Sequence, residues 1–184
     1  YGGAMTLVSS QKIENFVDLC DTFHIPIINF FDQPGVMIGL EAEQAGTIRA
    51  AMRALAAIEQ SNTPWCSIIV RRAFGVAGAA HGRLGGINMR YAWPSAAWGS
   101  IPIEGGVAAA YRRELANHPY PAARTAELEN HFSQYASPFK TAERFGINDI
   151  IDPRDTRSLL CDWIGDAYEK LPEMTGPRAR TMRR

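Results

Sequence analysis

Residues 65–80 read WCSIIVRRAFGVAGAA, and this stretch decides the fold. Trp65 to Val70 is a short, nearly unbroken apolar run entered just after Pro64. Runs of this kind fit a strand buried on both faces, as in parallel sheets covered by helices. From Arg71 to Gly86 the chain turns rich in Gly and Ala, with Gly75, Gly78, Gly82, Gly85 and Gly86. A buried strand therefore runs into a helix start that carries almost no side-chain bulk. Small residues there let a ligand approach the main chain, and the N–H groups of a first helical turn point at it. With the helix dipole they favour negative charge.

Upstream, Ser10 to Phe23 reads as a helix, capped by Ser9 or Ser10, with Ile13, Phe16, Val17 and Cys20 on one apolar face. Pro26 to Phe31 is a second continuous apolar run, expected to be a strand buried on both faces and broken by the turn residues Asp32-Gln33-Pro34-Gly35. A long helix is expected over Ala42 to Gln60, with Ala45, Ile48, Met52 and Leu55 on its inner side.

Downstream, Ile87 to Trp93 and Ala97 to Ile101 read as short strands separated by Pro94. Gly105-Gly106 opens a helix through Leu115, and Pro121 to Ala136 is an amphipathic helix with Leu128, Phe132 and Tyr135 on one side. A helical turn over Phe139 to Phe145, a strand over Ile147 to Ile151 and a helix capped by Asp155 or Thr156 and running through Leu171 complete the pattern. Strands and helices alternate, which implies an α/β fold with crossover helices. The expected organisation is one domain over residues 1–172 and a basic tail over 173–184 that carries Arg178, Arg180, Arg183 and Arg184. The chain opens on Tyr1 rather than Met, and is read as a piece of a longer polypeptide or one subunit of a split enzyme.

The bulk properties narrow the function classes. Nineteen basic residues balance nineteen acidic ones in 184, so charge gives no reason to expect nucleic acid or an anionic membrane as the main partner. Cys20, Cys66 and Cys161 are odd in number and scattered, against a disulfide framework or a zinc site; Cys20 and Cys66 read as small buried hydrophobes. No apolar run reaches the roughly 18 residues of a membrane span. With no signal peptide recognised, the expected location is the cytoplasm or an organelle matrix.

Two strand–helix junctions are candidates for chemistry. One is Arg71-Arg72-Ala73-Phe74-Gly75-Val76-Ala77-Gly78-Ala79-Ala80, the other Ile103-Glu104-Gly105-Gly106-Val107. A pair of such loops is what an oxyanion site needs, and each preorganised donor commonly contributes roughly 3–4 kcal/mol to a transition state. Close helix–sheet packing would also call for Gly and Ala at these places. There is no Walker A motif and no G-x-S-x-G elbow, Gly82 to Gly86 do not match G-x-G-x-x-G, and His24, His81, His118 and His131 lack metal-ligand spacing. Of the histidines, only His81 stands near a plausible site, as a candidate general base. Asp32 and Glu104 show no obvious partner and read as cap or turn residues.

Five segments together resemble a known family. They are Gly2-Gly3-Ala4; DTFHIPIINFFDQPGVMIGLEAEQAGTIR (21–49); RRAFGVAGAA (71–80); YAWPSAAWGSIPIEGGVAAAYRRE (91–114); and ASPFKTAERFGINDIIDPRDTRSLL (136–160). In this order they resemble the β-type carboxyltransferase of the propionyl-CoA, acetyl-CoA and methylcrotonyl-CoA carboxylases, in the C-terminal one of its two crotonase-like domains. The resemblance implies a crotonase/ClpP-like domain with stacked β-sheets and covering helices. It implies transfer of a carboxyl group from carboxybiotin, held on a separate carrier protein, to the α-carbon of an acyl-CoA, without a metal. It also implies partners: an acyl-CoA-binding N-terminal carboxyltransferase domain, the biotin carboxyl carrier, the biotin carboxylase and further copies of the same subunit.

By that resemblance the main-chain N–H groups of Val76 and Ala77 hold the biotin ureido oxygen. Phe74, Gly75, Gly78, Pro34, Gly35, Gly105 and Gly106 surround the bound group, and Ala79 stands near the acyl pocket. Val76 replaces a common glycine, so donation from its N–H requires a negative φ, because a β-branched residue resists φ > 0. Pro102 stands near the family's M-G and could reshape the pocket. Two other readings stay open: a catalytically silent assembly module of a larger carboxylase, and a crotonase-like decarboxylase or hydratase acting on an acyl-CoA in its own oxyanion hole.

Overall fold

The computed structural model describes residues 2–79, 81, 86–100, 102–103, 105–144, 146–177 and 179. In chain order the elements are α1 (Leu7–Thr22), β1 (Ile27–Gln33), α2 (Leu40–Gln44), α3 (Thr47–Gln60), β2 (Trp65–Phe74), α4 (Gly75–Ala79), β3 (Met89–Ala92), β4 (Ala97–Gly99), α5 (Gly106–Ala110), α6 (Arg112–Ala116), α7 (Pro121–Ser133), α8 (Pro138–Ala142), β5 (Asp149–Ile150), a 3-10 turn (Pro153–Asp155) and α9 (Thr156–Met174). The α/β alternation read from the sequence is the one observed.

All described strands lie in one sheet, ordered β1-β2-β3-β5, and every pairing is parallel. A stacked second sheet is not among the described residues. Strand β2 is the spine. β3 pairs with Cys66–Ile69 and β4 with Arg72–Phe74, so both run along the same side of β2. The step between them is the Trp93–Ala96 turn, where Ser95 Oγ donates to the Val70 carbonyl at 2.7 Å.

On one face, α1 and α3 cover the first strands through Val17, Cys20, Ile27, Ala57, Ile58 and Trp65. On the other, α9 packs Leu160, Trp163 and Ala167 against Cys66, Ile68 and Ile151. Strand β1 is expected to be buried on both faces, but it is a sheet edge whose outer face α9 covers only in part. Its Ile27 and Phe31 are buried, while Ile28 is 38% and Phe30 52% exposed.

Several boundaries differ from the sequence reading, each for a local reason. Helix α1 begins one turn early because Thr6, not Ser9 or Ser10, is its N-cap. Thr6 Oγ1 accepts from the Ser9 N–H at 3.2 Å, and Ser9 Oγ accepts from the Thr6 N–H at 2.7 Å, a reciprocal cap. Phe16, placed on its inner face, is exposed. The single helix expected over 42–60 is split by Gly46 at φ +79, which makes α2 and α3. The inner face of α3 is Ala50, Ala51, Ala54, Ala57 and Ile58, whereas Ile48 and Met52 are exposed. Alanines let α1 and α3 approach closely, so the small residues took the core.

The expected helix from Gly105 to Leu115 breaks at Tyr111 into α5 and α6. Phe132 is partly buried beside Leu128, but Tyr135 is exposed. Helix α9 runs three residues past Leu171, with Pro172 in its last turn. Its formal N-cap Asp155 makes no side-chain cap; instead Asp152 accepts from the Arg154 N–H at 2.8 Å in the 3-10 turn. Cys20 and Cys66 are buried as expected, and burial pushes the Cys66 thiol up to about 12. Ala80, Gly82, Gly85, Ile101, Glu104, Phe145 and four tail arginines (178, 180, 183 and 184) lie outside the described residues.

Candidate active site at the β2–α4 junction

Strand β2 continues four residues beyond Val70, through Arg71 and Arg72, because a carboxylate on the neighbouring strand meets both guanidinium groups. Asp32 Oδ2 accepts from Arg71 Nη2 at 2.9 Å, and Asp32 Oδ1 accepts from Arg72 Nε at 2.7 Å and from the Arg72 main-chain N–H at 3.0 Å. Asp32 is thus neither partnerless nor a turn residue; it lies within β1, as does Gln33. Burial alone would raise its carboxyl, but the hydrogen bonds from Arg72 and Arg71 override this and hold it at about 2. Arg72 Nη2 also donates to the Gly2 carbonyl at 2.5 Å, which draws the Gly2–Met5 segment across the carboxyl ends of β1 and β2. The Met5 N–H donates to the Gly35 carbonyl at 2.9 Å.

At Phe74 the strand passes without a loop into α4. Gly75 turns the corner at φ +65, a conformation that an L side chain resists. Gly78 lies so close to the strand that a Cβ there would overlap the backbone of Ala73. The five-residue helix is therefore laid back against the end of its own strand. Ala77 is buried at 3% with Met5 and Ala51, while the Val76 side chain is 57% exposed. Among the described residues His24 is the one non-glycine residue at positive φ, so Val76 meets the condition set for N–H donation. The first-turn N–H groups of α4 have no acceptor within a helix that starts at Gly75. Pro34-Gly35 is brought beside the same corner: a Cβ on Gly35 would stand 3.8 Å from the Phe74 carbonyl oxygen.

The second junction is arranged differently. β4 ends at Gly99, well before Ile103, so Gly105-Gly106 is not a direct strand–helix corner. Gly105, at φ +75, is the N-cap of α5. What links the two junctions is a mostly apolar cavity of about 560 Å3, walled by Phe74, Trp98, Ser100, Val107, Tyr111 and Phe132 among others. Its lining from α5 and α7 was not identified from the sequence. In the structure Tyr111, at the end of α5, meets Phe132 of α7 with ring centroids 5.8 Å apart. Ala79 closes α4.

His81 does not stand as a general base. It is buried, with Nδ1 at 2.8 Å from Asn29 Nδ2 and Nε2 at 2.6 Å from Gln33 Oε1. Burial, aided by the Arg90 charge, pushes it down to about 4. Its lone pair is occupied by the Asn29 side chain and its basicity is lowered.

The solved structures that share this fold are crotonase-fold carboxyltransferases. The carboxyl transferase domain family matches residues 1–177, and the chain belongs to it. The carboxyltransferase subunit of propionyl-CoA carboxylase from Haloferax mediterranei is 35% identical over 160 residues, 86% of this chain and 31% of that subunit. The methylmalonyl-CoA carboxyltransferase 12S subunit of Propionibacterium freudenreichii subsp. shermanii is 33% identical over 160 residues, 86% of this chain and 30% of that one. The crystal structure of transcarboxylase 12S, a hexamer with methylmalonyl-coenzyme A and methylmalonic acid bound, superposes with a TM-score of 0.77 at 30% identity, over 97% of this chain and 34% of that chain. The chain spans about a third of the length of these relatives.

Proposed function

We propose that this chain is the biotin-side half of an acyl-CoA carboxyltransferase site, corresponding to the C-terminal crotonase-like domain over residues 1–172, with 173–184 as a tail. The observation that carries this reading is the β2–α4 corner. Gly75 and Gly78 keep it free of side-chain bulk, the Val76 and Ala77 N–H groups open the helix, and the φ of Val76 permits donation. A flat ureido oxygen, an acceptor that gains negative charge as its ring is relieved of a carboxyl group, suits two convergent N–H donors. Biotin, carried on a separate protein, supplies the transferable carboxyl group. Val76 and Ala77 bind and orient its ureido oxygen, and Phe74 with the Trp98 and Val107 walls excludes water beside it.

The acyl-CoA enters from a partner domain in this reading, and the acyl group is left open. The proposed assembly contains that domain, the carrier, the biotin carboxylase and further copies of the subunit. The residues needed to grip a carboxylated ring are main-chain donors, so no side-chain acid or base is assigned.

Reconstitution tests the reading. The chain alone is expected to give little or no carboxylated acyl-CoA, and addition of an acyl-CoA-binding carboxyltransferase half with a carboxylated carrier is expected to restore it. Carboxyl transfer by the chain alone would contradict the half-site. Tight binding of a CoA thioester without any binding of biotin would replace it with an acyl-CoA enzyme using its own oxyanion hole. Assembly without activity in the reconstituted complex would leave a structural module.

A further inference from the structure

His81 lies two residues beyond α4, and the hydrogen-bond and stacking partners of its ring come from one face of β1. Asn29, Phe31 and Gln33 alternate along the strand and point the same way. Asn29 Nδ2 donates to Nδ1 at 2.8 Å, so the imidazole carries its proton on Nε2, which donates to Gln33 Oε1 at 2.6 Å. Phe31 stacks on the ring, with centroids 4.1 Å apart and planes 16° from parallel. The main chain of His81 is held from the other side. Its carbonyl accepts from Ser67 Oγ on β2 at 2.6 Å and from Arg90 Nη2 on β3 at 3.4 Å, and Ser67 Oγ in turn accepts from Trp65 Nε1 at 2.9 Å. One residue is thus tied to three neighbouring strands, and Ser67 and His81 are both buried.

Helix α4 has five residues and cannot hold its own shape, because a single helical turn is unfavourable in isolation. Its direction is set by its two ends. Gly75 fixes the entrance and the Gly78–Ala73 contact fixes the middle. We propose that His81 is the positioning residue of this site: its imidazole clamps the exit of α4 to β1 and thereby aims the Val76 and Ala77 N–H groups. The functional half of this proposal rests on the biotin reading given above; the conformational half does not. Arg90 is the charged group facing His81, and Asn29, Phe31, Gln33 and Ser67 are neutral. The clamp therefore works with a neutral ring, in keeping with a titration pushed down to about 4.

The test uses the full chain, isotope-labelled, as wild type, His81→Leu and Gln33→Glu. In the wild type, Val76 and Ala77 are expected to show order parameters near about 0.85, and His81→Leu to lower them below about 0.6, with the core of β2 unchanged. His81→Leu is also expected to weaken free biotin by about tenfold. Unchanged order parameters in a folded His81→Leu would overturn the clamp. Gln33→Glu serves if His81→Leu fails to fold. A carboxylate against Nε2 is expected to raise the imidazole titration by more than about one pH unit, and the Val76 and Ala77 amide shifts are expected to follow that titration. Amides that ignore it would overturn the clamp. Loss of order in His81→Leu with unchanged biotin affinity would refute the functional half and leave the clamp as conformational only. Wild-type amides that do not respond to biotin at all would refute the biotin reading, and the clamp is then decided by order parameters and the Gln33→Glu titration.

Discussion

Gly78 shows what one hydrogen atom in place of a methyl group does. Because a Cβ there would overlap the Ala73 backbone, Gly78→Ala is expected to force α4 off its strand and cost about 1–3 kcal/mol by chemical denaturation. An unchanged midpoint would contradict the close packing of α4. His81 gives a pH signature of definite sign. Its pKa is depressed from 6.5 to about 4 on folding, so the unfolded chain binds the proton more readily. Stability from this group is complete above pH 6.5 and is lost as pH falls toward 4, with a slope of up to about 1.4 kcal/mol per pH unit. Denaturation curves at several pH values should show this loss in the wild type and not in His81→Gln; equal slopes would contradict the buried, neutral ring. The glycine corner was legible in the sequence as a close strand–helix junction, because small residues after a buried strand permit the approach that Gly78 makes to Ala73. The role of His81 was not, because its partners lie about fifty residues upstream and reach it only through the β1–β2 pairing.

At the scale of elements, Asp32 joins the ends of β1 and β2, and its partner Arg72 reaches the Gly2 carbonyl. Asp32→Asn keeps the size and removes the charge that Arg71 and Arg72 share, and is expected to cost about 1–2 kcal/mol. Its carboxyl is held at about 2, below its usual 3.8, so its contribution is present above pH 3.8 and disappears as pH falls toward 2. A stability of Asp32→Asn equal to wild type at pH 7 would show the pairing to be idle. This carboxylate explains why strand β2 was read too short. Two adjacent arginines look like the end of a buried strand until their partner is known. Helix α3 was misread in the opposite way: the periodicity of Ile48 and Met52 was real, but alanines allowed the closer contact with α1 and the larger side chains faced out.

The molecule as a whole is a parallel α/β sheet whose alternation could be read from the chain, since each buried run and each amphipathic helix is a local pattern. What could not be read is which strand lies at the edge. β1 exposes Ile28 and Phe30 beside a shallow apolar groove of about 480 Å3 that Leu160, Cys161 and Ile164 of α9 help to line. Local hydrophobicity reports that a strand wants cover, and not whether this chain supplies it. If the Val76 and Ala77 N–H groups carry the chemistry, removing one of them must slow it, and Val76→Pro does so. Proline is tolerated in the first turn of a helix and removes the N–H there. In the reconstituted carboxyltransferase a folded Val76→Pro is expected to transfer carboxyl groups about a hundredfold or more slowly. A folded Val76→Pro that transfers carboxyl groups at the wild-type rate would contradict it.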